Sequence, residues 1–488
     1  MVTTLGIVGA GPMGAGIAQI GLTAGLNVVL HDLSADALAK AGRDILGRLS
    51  RLVEKGQLAQ GYVAEAQARL TLAESLEAFA PCELVVEAII ERLEPKQKLF
   101  AALEAIVAPG AVLATNTSSL SVAAIATGCF DKTRVCGLHF FNPVPLMKLV
   151  EVIVAPGTSD ATATLATEMA KAIGKVPVIV KDGPGFLVNL QGRAYATEGL
   201  AIVQEGVTDP ATVDRIMREA AGFRMGPFEL MDLTGIDVNF TATTYIYQGY
   251  QHDPRLKTTA LHELMFNAGR FGRKTGQGFH DYSKEKTDEK VPAPELGAAL
   301  PFVARIGEPS AAFDLLFDCG LSDGDGPVLI APIGEDCSST CHRLDLDPAT
   351  TVAIDFTAGA RKHLTLMAAP GGGAAAQAVA GWLRGHGFAV EIIKDSPGFV
   401  IQRIVAMVAN LGCELAQTQV GSPADIDLAM KLAQNYPRGP LEWAEWLGVR
   451  KTYMIMRALH DITGSDRYRP SLWLRRRALL GLSIHQAD

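Results

Sequence analysis

Cysteine is scarce: seven in 488 residues, unevenly spaced. No disulfide framework can be read from them, and a reducing compartment is the expectation. Positive charge is not in surplus either. Lys plus Arg number 44 against 52 Asp plus Glu, a formal net charge of −8. That balance argues against nucleic acid as the main partner, because phosphate backbones require a basic face. No run of about 18 uninterrupted apolar residues occurs, so neither a transmembrane helix nor a membrane partner is expected. Met1-Val2-Thr3-Thr4 has no basic region ahead of the first apolar stretch. No signal peptide is therefore expected, and the cytoplasm is the default location. What remains is ordinary globular composition, 48% hydrophobic and 20% charged. At roughly 150 residues per domain the length predicts about three domains.

Residues 5–9 read as a buried strand, followed by a Gly-rich turn, a helix from Met13 to Ala24 and a strand Val28–Leu30 ending at Asp32. Residues 36–80 read as mostly helical. Further strands are predicted at Leu84–Ala88, Val112–Thr115, Arg134–His139 and Lys148–Val154, with a helix at Lys96–Ile106. Strands alternating with helices predict a Rossmann-type α/β domain over 1–180. Beyond it an all-α domain is expected over 181–282 and a charged, Pro-rich linker over 283–296. A degenerate Rossmann-like α/β segment follows at 297–390, then a second all-α domain with a C-terminal tail at 391–488.

The second helical domain rests on an internal repeat. Lys181–Ile236 aligns without gaps on Lys394–Val449 at an offset of 213, with 18 of 56 positions identical. The shared positions include the Gly and Pro punctuation of Pro184-Gly185 and Pro397-Gly398, so the same turns are expected in the same places. At this offset Val352 stands for His139, Leu364 for Glu151 and Gln402 for Asn189. Gly371-Gly372-Gly373 could mimic a Gly-rich loop but lacks an acidic partner about 20 residues on. One NAD site per chain is expected, with the two helical domains packed together as an internal pseudo-dimer. A further homo-oligomer stays open.

Gly9-Ala10-Gly11-Pro12-Met13-Gly14 is GxGxxG between a strand and a helix, with Asp32 closing the next strand. That context is a dinucleotide-binding signature. The first glycine permits the turn, the second lets backbone approach a pyrophosphate, and the third lets helix pack on strand. Asp32 can accept from a ribose diol and would repel a 2′-phosphate, which favours NAD over NADP. His139 and Glu151 flank a turn containing Pro143 and Pro145 and could meet across it. The imidazole has a pKa suited to proton transfer, and a carboxylate would fix its tautomer. A buried histidine satisfied by backbone is the other reading. Asn116-Thr117-Ser118-Ser119 either faces a ligand beyond a strand end or caps the next helix. Cys337, Cys341 and His342 read as structural or free thiols rather than a metal site. The helix candidate 35–55 carries Arg43, Arg48, Arg51 and Lys55, either a solvated face or a basic surface beside the ligand crevice.

Four stretches carry a resemblance: residues 9–18, 116–120, Gly-Leu-His-Phe-Phe-Asn-Pro-Val-Pro-Leu-Met-Lys-Leu-Val-Glu-Val (137–152) and Lys-Asp-Gly-Pro-Gly-Phe-Leu-Val-Asn (181–189). With Phe-Gly-Arg-Lys-Thr-Gly-Gln-Gly-Phe (271–279) they resemble the 3-hydroxyacyl-CoA dehydrogenase family. The two-copy layout and the ending 466–480 are similar to the phenylacetate-pathway branch that acts on 3-hydroxyadipyl-CoA. The resemblance implies reversible NAD-dependent oxidation of a (3S)-3-hydroxyacyl-CoA. It implies His139 as general base, Glu151 as its orienter, and Ser118 and Asn189 on the reacting oxygens. It further implies Asp32, Glu91, Lys96, Asn116, Ser118 and Asn142 along with the Gly-rich loop at the cofactor, and Lys55 at the CoA phosphates. Two alternatives stand beside it: a short-chain 3-hydroxybutyryl-CoA dehydrogenase and a non-catalytic NAD-binding relative. In the sequence, Arg193 falls four residues past Asn189, where the family often has Arg directly after its Asn.

Overall fold

The computed structural model describes residues 2–283, 303–304, 326–358 and 362–488. Most of the expected linker, 284–296, lies outside the described residues. The chain divides into two compact units. The first comprises Met1–Leu190 and Gln419–Gln434; the second comprises Gln191–Thr418 and Asn435–Asp488.

The first unit is built on strands β1 (Thr4–Val8), β2 (Asn27–His31), β3 (Leu70–Ala73), β4 (Leu84–Glu87), β5 (Val112–Thr115), β6 (Val135–Phe140), β7 (Leu149–Val154) and β8 (Val176–Lys181). They form one sheet in the order β3-β2-β1-β4-β5-β6-β7-β8. All neighbours run parallel except β6 and β7. The central strands are continuous apolar runs such as Leu84-Val85-Val86, the pattern of a sheet covered on both faces. Helices Pro12–Thr23 and Ala35–Glu54 lend Ile17, Ala18, Leu38 and Ile45 to its core. Strand β3 corrects the mostly helical reading of 36–80: helices Ala35–Glu54 and Tyr62–Arg69 are followed by a strand. Strand β8 was likewise not anticipated. Helix Pro423–Gln434 belongs to this unit, and Lys181 donates its backbone N–H to Val420 at 2.9 Å.

The second unit holds most of the predicted helices, including the greater part of Val188–Gln204, then Pro210–Arg215, Pro227–Thr234 and Ile236–Gly249. It also holds a five-stranded sheet from β9 (Val303–Ala304), β10 (Val328–Ile330), β11 (Thr351–Asp355), β12 (His363–Met367) and β13 (Ala389–Ile392). Its order is β13-β12-β11-β10-β9, with β11 and β12 antiparallel and the rest parallel. This is the order and direction of β8-β7-β6-β5-β4. Among the described residues nothing stands for β1, β2 and β3, the part that carries the Gly-rich loop. Gly371-Gly372-Gly373 leads into helix Gly373–Gly385 after β12. Helices Ile401–Gln417, Pro440–Leu447 and Val449–Thr463 complete the unit.

Inside the second unit the helices of the two repeat copies meet. Gln191 donates to the Val408 carbonyl at 2.9 Å, and Phe223 stacks on Trp443 with ring centres 5.4 Å apart. Glu198 is fully buried and accepts from Arg403 at 2.6 Å, Arg467 at 2.8 Å and Tyr468 at 2.9 Å. Burial pushes the Glu198 carboxyl upward, but the two guanidinium charges outweigh it and hold it below the usual range. Among the described residues no helix is long and apolar enough to cross a membrane.

Candidate active site

The Gly-rich loop turns between β1 and helix Pro12–Thr23, and its three glycines are needed for different reasons. Gly9 has φ +109°, and a Cβ there would lie 2.4 Å from the Ala88 carbonyl. A Cβ on Gly14 would lie 1.8 Å from the Gly9 carbonyl, so helix and strand could not approach. A Cβ on Gly11 would meet nothing within 4 Å. The protein itself does not forbid a side chain at Gly11, which leaves open space where a pyrophosphate would come close. Gly11 is the N-cap and provides no side-chain cap, with Pro12 next, so the helix start is left for an anion. Asp32 closes β2. Its Oδ2 accepts from Ala10 N at 2.7 Å and its Oδ1 from Ser34 N at 2.9 Å. One carboxylate thus ties the loop to the strand end and keeps lone pairs for a diol. These features fit NAD.

Next along the strand ends, Glu87 is fully buried and accepts from Lys96 at 2.5 Å and Thr115 at 2.7 Å. Lys96 is 1% exposed and also pairs with Glu91 at 3.2 Å. The Lys96 ammonium thus sits between the carboxylates of Glu87 and Glu91. Glu91 accepts from Thr117 Oγ1 at 2.5 Å and from the N–H groups of Ser118 and Ser119 at 3.0 and 3.1 Å. Burial raises the Glu91 carboxyl, but the Thr117 hydroxyl and the Lys96 charge prevail and keep it low. This grip shapes the loop bearing Ser118, which is exposed. The cap reading of 116–119 fails. Ser121 caps helix Val122–Ala126, and Asp182 accepts there from Ser121, Val122 and Ala123. Asn116 accepts from Phe140 N at 2.8 Å, bracing β6 one residue past His139.

His139 and Glu151 lie directly opposite each other in the β6–β7 register. Nδ1 of His139 is 2.6 Å from Glu151 Oε2. The reading of a backbone-satisfied histidine is therefore replaced by the carboxylate pair. Glu151 is fully buried, and its other oxygen accepts from Leu187 N at 3.1 Å and Val188 N at 2.9 Å. Those two N–H groups are aimed by a left-handed turn at Gly185 (φ +78°) and Phe186 (φ +48°). For Phe this conformation costs of order 1–3 kcal/mol. The sequence offered no sign that Leu187 and Val188 would contribute backbone donors. With Glu151 ionised, Nδ1 carries the proton and Nε2 presents its lone pair. Phe141 and Phe186 pack on the ring at 4.6 and 5.8 Å. Asn189 follows Val188 at the start of helix Val188–Gln204 and is half-buried.

Other expected residues lie apart. Asn142 is exposed on the turn, and the buried Lys175, which sequence reasoning passed over, holds that turn through the Val144 and Met147 carbonyls at 2.6 and 2.7 Å. Lys55 ends helix Ala35–Glu54, exposed, with Arg43, Arg48 and Arg51 exposed along it. Cys337 and Cys341 are buried with sulfurs 3.9 Å apart, while His342 is exposed.

The equivalent place in the second unit differs. The β11–β12 register pairs Asp355 with Thr365. The β12–β13 register pairs Thr365 with Glu391, where Glu151 pairs with Val178, so β12 is shifted by one residue against the offset of 213. Asp355 and Thr365, not Val352 and Leu364, therefore occupy the positions of His139 and Glu151, and the connection between them is two residues shorter. Gln402, at Asn189's position, bonds Asp355 at 3.1 Å and Gly334 N at 2.8 Å.

The model of the 3-hydroxyacyl-CoA dehydrogenase NAD-binding domain matches residues 4–183. The model of that family's C-terminal domain matches 185–282 and 398–483. A 3-hydroxyadipyl-CoA dehydrogenase of Escherichia coli K12 is 37% identical over 98% of this chain and 98% of its own length. The human mitochondrial hydroxyacyl-coenzyme A dehydrogenase is 39% identical over 57% of this chain and 90% of its own. The crystal structure of a 3-hydroxybutyryl-CoA dehydrogenase from Escherichia coli K12 superposes with a TM-score of 0.87 at 36% identity, covering 98% of this chain and 99% of that one. The chain belongs to the 3-hydroxyacyl-CoA dehydrogenase family and is an NAD-dependent oxidoreductase.

Proposed function

We propose that His139 is the general base in the reversible oxidation of a (3S)-3-hydroxyacyl-CoA to its 3-oxoacyl-CoA, and that the substrate is 3-hydroxyadipyl-CoA of phenylacetate breakdown. The observation that carries the site assignment is the His139–Glu151 pair at 2.6 Å, with Glu151 anchored by two backbone N–H groups. NAD, when bound, supplies the hydride acceptor. His139 Nε2 takes the C3 hydroxyl proton, and Glu151 stabilises the imidazolium that forms. Ser118 and Asn189 hold the reacting oxygen, and fixed orientation is a large part of the rate. In the reverse direction the protonated ring donates. Asp32, Glu91, Lys96, Asn116 and the loop Gly9–Gly14 hold the cofactor. Asn142 supports the turn beside the dyad, and Lys55 meets the CoA phosphates.

The acyl-chain reading draws on the E. coli protein of that name, which matches nearly end to end. The equally long match to a structure named for 3-hydroxybutyryl-CoA favours a short chain as the second reading. The kcat/KM values for the two thioesters decide: preference for 3-hydroxyadipyl-CoA supports the first, preference for 3-hydroxybutyryl-CoA the second.

The domain reading is 1–180, 181–282, 297–390 and 391–488, with the last two a degenerate copy of the first two. Supporting it, Lys181 N bonds Val420 O at 2.9 Å and Lys394 N bonds Val207 O at 3.0 Å, partners related by the same offset of 213. Such reciprocity is what a two-fold interface produces. The helical copies then form an internal pseudo-dimer, held by tethering at high effective concentration, and the protein works in the cytoplasm. Truncation after Tyr282 is expected to give an aggregated or newly dimeric protein. A soluble, fully active monomer of residues 1–282 would contradict the pseudo-dimer.

A further inference from the structure

Part of the second repeat copy belongs to the first unit: Gln419–Gln434, a turn followed by helix Pro423–Gln434. There it meets the elements that hold Glu151. The helix packs on β7, which carries Glu151, and on β8 beside it. Its Ile426, Ala429 and Met430 are fully buried. Val420 O accepts from the N–H of Lys181, the last residue of β8, at 2.9 Å. Gly421 follows. A Cβ on it would lie 2.8 Å from Leu187 Cδ1, 3.6 Å from Ile426 Cγ1 and 3.8 Å from the Ile179 carbonyl. Leu187 is itself fully buried, and its N–H is one of the two that hold Glu151.

Space, not backbone conformation, calls for glycine here, because Gly421 is not at positive φ. A side chain would have to displace Leu187, and a close-packed interior gives its methyl little room to swing away. The repeat varies the same two positions together. At the offset of 213, Gly421 corresponds to Thr208 and Leu187 to Val400. Leucine goes with glycine where a carboxylate is held, and valine goes with threonine where Thr365 takes that carboxylate's place.

We propose that Gly421 and helix Pro423–Gln434 are positioning elements of the catalytic centre, seating Leu187 so that its N–H aims Glu151 at His139. This rests on the His139–Glu151 reading above. The ionised carboxylate gives one oxygen to Leu187 N and Val188 N and the other to His139 Nδ1. A shift of Leu187 weakens the first anchor, turns the carboxylate and lengthens its bond to the ring. The base then loses its fixed tautomer and direction. The second half of the chain thereby completes the site in the first, although Asp355 and Thr365 stand where its own pair would be.

The test is Gly421→Thr, alone and with Leu187→Val, a combination that reproduces the other copy's pair. Alone, Gly421→Thr is expected to lower kcat about 30-fold, within the ~10²-fold that a misplacement of about 1 Å can cost. NADH affinity should stay nearly unchanged. The downfield proton NMR signal of His139 Nδ1–H, identified by its loss in His139→Gln, should shift. Adding Leu187→Val should return the signal and bring kcat to within about threefold of the unmodified enzyme. Full kcat with an unmoved signal in folded Gly421→Thr overturns the proposal. So does a loss shared equally with NADH affinity, or one that Leu187→Val does not relieve, since each marks a merely structural role. Gly421→Ala, expected to lose about threefold by the same readouts, decides if Gly421→Thr does not fold. Activity kept in His139→Gln strikes the dyad reading; activity lost there but kept in the folded Gly421 variants strikes only the role of Gly421.

Discussion

The antiparallel pair β6–β7 and its equivalent β11–β12 share topology and differ in chemistry. His139 faces Glu151 in the first; in the second Asp355 faces Thr365. The turn that follows is kept in both. Phe186 and Phe399 adopt φ +48° and +51°, preceded by left-handed Gly185 and Gly398. In the first pair that turn delivers N–H groups to a carboxylate; in the second, Thr365 stands in the carboxylate's place. Asp182 and Asp395 also keep one task. Each accepts from the start of a helix, Val122–Ala126 or Cys337–Leu344. Repeated residues therefore mark turns and caps.

The largest effect that sharpens this contrast is expected from His139→Gln. Turnover should fall about 10³-fold, with NADH affinity nearly unchanged in a fluorescence titration. Activity retained within about tenfold, only ~1.4 kcal/mol, would make the first pair as inert as the second. Glu151→Gln should cost several hundredfold, on the order of 10², because the imidazole loses its charged orienter. Thr365→Val, at the equivalent place, should leave turnover intact.

Arg403→Leu should destabilise the protein by about 3 kcal/mol, since it leaves Glu198 buried without one of its two guanidinium partners. Urea unfolding reads this; a change below ~1 kcal/mol would mean the pair adds little. Asp32→Ala should lower kcat/KM for NAD about tenfold and narrow the gap to NADP; equal use of both cofactors by the unmodified enzyme would contradict the role of Asp32.

The smallest effect belongs to Asp355. Burial raises its carboxyl above the ordinary range, against hydrogen bonds from Thr357 and Gln402. The folded state therefore holds the proton more tightly than the unfolded one. Its contribution to stability is full below the ordinary carboxylate pKa and is lost as pH rises through the folded value. Asp355→Asn, freed of that loss, should gain on the unmodified protein as pH rises from 4 towards neutrality. Unfolding midpoints measured across that window check it, and a constant difference would contradict the sign.

Much of the first unit was legible in the sequence because its signals are local. GxGxxG, Asp32 and the apolar strands follow one another within a short stretch, and His139 and Glu151 flank a turn marked by two prolines. Strand β3 was hidden because Leu70–Ala73 is short and two of its four residues are exposed. Strand β8 contains Pro177 and lies at the sheet edge, where proline is tolerated but the strand signal is weak. The run 116–119 reads as a cap from its place before a helix; Glu91 holds that run instead, and Ser121 takes the cap. A gap-free offset led to Val352 and Leu364 because a shortened connection leaves no mark in strands of similar apolar residues. The donors of Leu187 and Val188 are backbone groups and carry no residue signature.

The central claim is that the chain carries two related halves and one catalytic centre. Calorimetric titration of the full-length protein with NADH tests it most directly. One equivalent bound per chain, unchanged in affinity by His139→Gln, is the predicted result; two equivalents per chain would contradict it.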